Sequence, residues 1–191
     1  IKDADNTYLT LTQTTGQVNI LRSLRLENTT SSTLGVMFKG ADRFLHNYGV
    51  INTFLGVSSG NFTMTGTGNS GLGVNSLTSN TTGNNNTALG FSSLGYNATG
   101  SDNTAVGKYS LVFNSTGNEN TAIGTQSLYY NNTGSKNTAL GNDAMRNNST
   151  GFQNTAIGYY SLFFNNGNYN TALGYNAGST ITTGANLTCI G

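Results

Sequence analysis

The sequence predicts an all-β protein: a parallel β-roll or β-solenoid of short coils, intertwined or packed as a homotrimer, behind a short β-rich N-terminal segment. Three observations carry that expectation. From Asn52 onward the chain repeats itself every 17 residues, too short a period for a helical-hairpin repeat and suited to stacked parallel strands. Apolar residues stay in phase with the repeat, which separates the chain from a disordered Gly/Asn/Ser/Thr-rich segment. Proline is absent altogether, as suits a stack in which backbone N–H groups find partners in the next coil.

Taken in order, residues 1–51 do not follow the repeat. Tyr8–Thr12, Val18–Leu21 and Leu34–Phe38 read as short strands of a cap or preceding shaft element that covers the open edge of the first coil. Residues 52–191 hold about nine copies, starting at Asn52, Asn69, Asn86, Asn103, Asn120, Asn137, Asn154, Asn170 and, one strand long, near Leu187. Counting each copy's first Asn as place zero, the motif is Asn, Thr, Ala, aliphatic, Gly, two variable residues, Ser, Leu, two variable residues, Asn, variable, Thr, Gly and two more. The copy before Asn170 is one residue short beside Gly167. A coil cut after its first strand reads as part of something longer, or as a seat for a further C-terminal part.

Within a coil, two strands are expected: Asn-Thr-Ala-aliphatic-Gly, then Ser-Leu with the two residues after it. Glycines at places four and fourteen mark the turns, because only Gly enters positive φ without a Cβ clash. Side chains alternate across a strand. The aliphatics Leu89, Val106, Ile123, Leu140, Ile157 and Leu173 are therefore assigned to the core, with the Leu at place eight and the aromatics Tyr96, Phe113, Tyr130 and Phe164 at place ten. The alanines then face out. A position kept small copy after copy suggests close contact with a sister chain, so Ala88, Ala105, Ala122, Ala139, Ala156 and Ala172 are the expected oligomer interface. Stacked coils rise about 4.8 Å each, giving a rod of roughly 40 Å, with like residues aligned and the asparagines forming amide ladders.

Charge bounds the partners. Nine of the fifteen charged residues precede Asn52, and only Asp102, Lys108, Glu119, Lys136, Asp143 and Arg146 follow it. A net charge of +1 offers no basic surface for nucleic acid or an anionic membrane, and no apolar run is long enough to span a bilayer. The single cysteine, Cys189, stands where other copies have Ala and reads as a small filler. His46, the only histidine, has no metal-spaced partners and reads as a packing or capping residue. Gly66–Gly71 matches a GxGxxG string, but its glycines fall on the repeat and not between a strand and a helix. The Asn-x-Thr triplets at Asn80, Asn97, Asn114, Asn131 and Asn148 match the N-glycosylation sequon, and their phase favours a turn device. Nothing calls for a metal or cofactor, and catalytic residues are not expected. Asp102, Glu119 and Asp143 are the only acids in the repeat region, a poor supply of paired carboxylates for a polysaccharide-cleaving enzyme.

One surface signal points to a ligand. Places five and six carry Phe91, Tyr109, Tyr159, Tyr160 and Tyr175, and place nine carries Tyr129 and Phe163. Outward aromatics beside Asn and Thr offer ring faces and hydrogen-bonding groups to a sugar. The same rings would serve as interface anchors.

The NTAxG…SL…N-x-TG repeat resembles the shaft and head repeats of bacteriophage and giant-virus tail-fibre proteins, and the mosaic trimeric adhesins of predatory bacteria. It is more distantly similar to the heads of trimeric autotransporter adhesins. Arg43–Gly49 followed by Asn52–Gly56 is similar to the entry into such regions. The resemblance implies a homotrimer of parallel β-rolls, extracellular or on a virion tail fibre, that acts as shaft or attachment surface towards a host or prey cell through surface glycans or a protein receptor. A purely structural spacer or self-assembling filament is the alternative. An ice-binding solenoid is a further one, weakened by placing the single Thr of each first strand on the core side.

Overall fold

The computed structural model describes residues 37–39 and 42–191. They form an all-β solenoid of about eight turns, built on one sheet of eleven strands in sequence order. Strands β1 (Met37–Lys39) and β2 (Asp42–His46) make an antiparallel pair, and β2 pairs antiparallel with β3 (Thr53–Leu55). From there the sheet is parallel: β4 (Ser70–Leu72), β5 (Thr87–Leu89), β6 (Thr104–Val106), β7 (Thr121–Ile123), β8 (Thr138–Leu140), β9 (Thr155–Ile157), β10 (Thr171–Leu173) and β11 (Thr188–Ile190). From β5 to β10 like pairs with like, for example Ala105 with Ala122 and Val106 with Ile123, whereas Phe54 of β3 pairs with Gly71 of β4. The strands expected at Tyr8–Thr12 and Val18–Leu21 lie outside the described residues. The one expected at Leu34–Phe38 overlaps β1.

Each coil holds one strand, where the repeat suggested two. The Ser-Leu stretch is a turn because its backbone enters the left-handed region twice. The residue at place six does so, as at Gln126 (φ 57°), and so does the Leu at place eight, as at Leu128 (φ 48°). An extended ladder cannot pass through such residues.

That turn also reverses the expected inside and outside. The Leu of place eight still points inward, and Leu77, Leu94, Leu111, Leu128, Met145 and Leu162 are fully buried. They meet the alanines across the narrow interior: Ala88, Ala105, Ala122, Ala139, Ala156 and Ala172 are at most 1% exposed in the single chain. The alanines are therefore core residues, not the oligomer interface. They are small because a Leu from the opposite wall fills the space above them. Their strand neighbours turn out, so Leu89, Ile123, Leu140, Ile157 and Leu173 lie exposed on the outer sheet face. Alternation does not carry from place eight to place ten, and Tyr96, Phe113, Tyr130 and Phe164 are exposed as well. Cys189 is half-buried against the core, in register with Ala172.

Two asparagine columns hold the coils at their corners. At place zero, Asn86 Nδ2 donates to Asn69 Oδ1 (3.1 Å) and to Gly100 O (2.8 Å), while its own Oδ1 accepts from Asn103 N (3.1 Å) and Nδ2 (3.1 Å). At place eleven, Asn97 Nδ2 donates to Asn80 Oδ1 (2.8 Å) and again to Gly100 O (2.8 Å). One glycine carbonyl thus ties both ladders in each coil. Every polar atom of these buried amides is used, which removes the desolvation penalty that an unpaired one would carry. Asn80, Asn97, Asn114, Asn131 and Asn148 are 0% exposed, so in the folded chain the sequon amides are structural donors with no room for a glycan. His46 closes the first coil: its ring nitrogen Nε2 lies 2.7 Å from Ser59 O, and Nδ1 accepts from Tyr48 N (3.3 Å), with Phe54 and Phe62 against the ring.

Candidate functional site

Two of the outward surfaces carry long columns of like side chains. The first is the outer face of the sheet. Places one and three of each strand both point out, so the face carries two parallel columns. One is of hydroxyls, Thr53, Ser70, Thr87, Thr104, Thr121, Thr138, Thr155, Thr171 and Thr188. The other is aliphatic, from Leu55 to Ile190. Near β2 the columns open into an apolar hollow of about 340 Å³ lined by Leu45, Leu55, Leu72 and Leu89, where Gly71 takes the place of an alanine.

The second surface is the flank formed by the Ser-Leu turn, where places five, six, nine and ten lie outside the buried Ser and Leu of places seven and eight. The ligand candidates Phe91, Tyr109, Tyr159, Tyr160 and Tyr175 all lie here, and residues of places nine and ten extend them into a line of ring contacts in two halves. Phe91 meets Tyr109 edge-on (5.3 Å between ring centroids), and Tyr109 meets Tyr129 (6.2 Å). Tyr129 packs edge-on against both Phe113 and Tyr130. Tyr96, Phe113 and Tyr130 stack nearly parallel at 5.0 and 5.4 Å, the consequence of placing one ring per coil at the same station. Further along, Phe163 stacks on Tyr160 (4.5 Å), Tyr160 contacts Tyr159 (4.4 Å), and Tyr159 stacks on Tyr175 (5.5 Å).

Arg146 joins the two halves of this line. Its guanidinium carbon lies 5.2 Å from the Tyr129 ring centroid, 6.0 Å from Tyr130 and 5.9 Å from Phe163. Its Nε stands 3.2 Å from Asp143 Oδ1 in an ion pair, without the alignment of a hydrogen bond. Desolvation raises the Asp143 carboxyl above its usual range, against a smaller lowering by Arg146. Desolvation likewise raises the Tyr129 hydroxyl, with the neighbouring Tyr130 adding to it. Lys108 Nζ lies 5.1 Å over the Tyr109 ring. The residues that complete the flank, Tyr96, Phe113, Tyr130 and Phe164, were assigned to the core by strand alternation. Only the left-handed backbone before them turns them outward.

The charged station at place sixteen lies elsewhere on the coil. There Asn85 Nδ2 donates to Asp102 Oδ1 (3.1 Å), and Lys136 pairs with Glu119 (3.6 Å). Among the described residues, no group of three or more His, Cys, Asp or Glu side chains gathers that could hold a metal ion. No protein-family model, curated protein or solved structure matches the chain.

Proposed function

We propose that this chain is a stiff segment of a homotrimeric extracellular fibre, serving as shaft and as attachment surface towards another cell. The aliphatic column on the outer sheet face carries the reading. A rod that stayed alone in water gains nothing from Leu, Val or Ile at place three of every coil. Burying the column against other copies would contribute about 1 kcal/mol per side chain, and contiguous apolar surface of this extent marks interaction sites. Three such sheets turned towards a common axis bury all three columns at once. The aromatic flank then faces away from the axis, free to meet a cell surface through glycans or a protein receptor. Light scattering on the purified chain tests the assembly: three-chain mass is expected, and a monodisperse single chain would sink the reading.

A second reading follows from the hydroxyl column. The threonines point outward, not towards the core, so the objection that they were hidden from an ice surface is removed. A flat Thr-x-aliphatic array at about 4.8 Å spacing is a surface that could order water. Thermal hysteresis in a freezing assay would support it, and its absence removes it.

A further inference from the structure

We infer that the aromatic flank binds an acidic polysaccharide, with Arg146 and Lys108 taking its carboxylates. The inference rests on the attachment role of the flank and names the ligand's chemistry. The repeat region has three cations, and their placement is uneven. Lys136 sits at another corner, paired with Glu119. Lys108 and Arg146 both stand among the flank rings.

Asp143 approaches Arg146 from the Nε side only. Among the described residues no acceptor engages the two terminal nitrogens of the guanidinium, the end that takes a carboxylate in two parallel hydrogen bonds. Three rings hold the guanidinium in place, so little side-chain freedom is lost when it binds. Lys108 is exposed and has no carboxylate partner among the described residues. The two cations belong to coils two steps apart, roughly 10 Å along the axis. A polymer with one carboxylate per sugar can meet both. The rings between them, with the Tyr96 and Tyr130 hydroxyls, give the sugar rings apolar and hydrogen-bonding contact. A nucleic acid fits worse, because two cations cannot answer its dense phosphate charge.

The test is calorimetric titration of the intact oligomer with an oligogalacturonate, and with the same oligomer after its carboxyl groups are reduced to alcohols. The acidic form should bind roughly ten-fold tighter than the reduced form and lose that advantage as salt is raised. Arg146→Gln and Lys108→Gln should each bring its affinity towards that of the reduced form while the oligomer mass and the β-sheet circular dichroism spectrum stay unchanged. Equal affinity for the two forms, or unchanged affinity in both variants, overturns the acidic-ligand inference and leaves the flank an attachment surface for neutral sugars. Failure of both forms to bind overturns the inference and the flank's attachment role together.

Discussion

Glycine 124 shows what the coil spacing demands of a single residue. A Cβ built there would lie 2.5 Å from the Gly141 carbonyl oxygen of the next coil, and φ is 131°. Neither problem can relax, because the obstacle is backbone held by its own ladder. Gly124→Ala should therefore cost about 4 kcal/mol, the sum of a backbone strain and an overpacking term. Thermal unfolding measures it, and a loss below about 1 kcal/mol would mean that the coils can part locally. Asp143 makes the opposite case. Its carboxyl is raised by desolvation, so the folded chain holds the proton more firmly than the unfolded chain does. That contribution to stability is complete below the ordinary carboxylate range and is lost as pH rises through the raised value. At neutral pH the buried charge is a net cost even with Arg146 beside it. Asn also suits the left-handed backbone at this position (φ 54°), and Asn75 and Asn176 occupy the same station in other coils. Asp143→Asn should melt higher than the parent at pH 7, with the difference shrinking as pH falls towards 4. A lower melting point at pH 7 would show that the Arg146 pair outweighs desolvation.

At the scale of the coil, spacing was legible and direction was not. The period, the register of like with like and the amide ladders follow from the repeat, because parallel stacking forces each station onto itself. Positive φ holds for the glycines of place four only; those of place fourteen are glycine because a Cβ would strike the carbonyl of the next coil, as at Gly117 against Gly134. What strand alternation could not supply was the sign of each face. Ala and the aliphatic beside it are both apolar, and either could be the inner one. The choice is made from the opposite wall, where Leu at place eight projects far enough to leave room for a methyl only. That Leu does so from a left-handed backbone, a conformation flagged in sequence by Gly or Asn and not by Leu. The glycan candidates Phe91, Tyr109, Tyr159, Tyr160 and Tyr175 were legible as outward residues. Their continuity was not, since Tyr96, Phe113, Tyr130 and Arg146 supply it. The short copy at Asn154 adds a test of where a coil tolerates change. It lacks one residue between Asn165 and Gly167, yet Asn154 Nδ2 still reaches Gly167 O (2.9 Å) and Thr155 still pairs with Thr171. Deleting Asn132, between Asn131 and Gly134, should accordingly lower the melting temperature by only about 2–4 °C, equivalent to about 1 kcal/mol. Inserting a threonine between Thr121 and Ala122 should abolish cooperative melting of that region, because it turns Ala122 outward and sets the inserted side chain against Leu128. Equal effects of the two changes, followed by circular dichroism, would mean that the strand is no more exacting than the turn.

At the scale of the whole solenoid, the described residues form a stack of coils with a hydrocarbon stripe, and the stripe bears on whether the stack stands alone. Its interior is narrow: in the central coils one Leu or Met and one Ala, with a buried Ser (Ala144 in one coil) beside them and buried amides at the corners. That is a thin core for a sheet of eleven strands, and association is a common way for such rods to gain stability. The outer aliphatics make no contribution to the interior of their own chain, so they can be changed without opening a cavity. Ile123 and Leu140 sit mid-rod, 38% and 44% exposed, on neighbouring strands. The double substitution Ile123→Asp, Leu140→Asp places two like charges about 4.8 Å apart on one face. In a single chain they remain in water and should cost about 1 kcal/mol or less. Between copies they would meet their symmetry mates in a water-poor seam, where a buried unpaired charge costs several kcal/mol. The variant should therefore sediment as a single chain that keeps its β-sheet circular dichroism spectrum, and its melting temperature should fall and become dependent on protein concentration no longer. Substituting Tyr159 and Tyr175 with Ser on the flank should leave the oligomer mass unchanged, because in the proposed assembly those rings would point away from the seam. If the aspartates leave the mass unchanged and the serines reduce it, the copies meet through their aromatic flanks and the apolar stripe is the face left for a ligand.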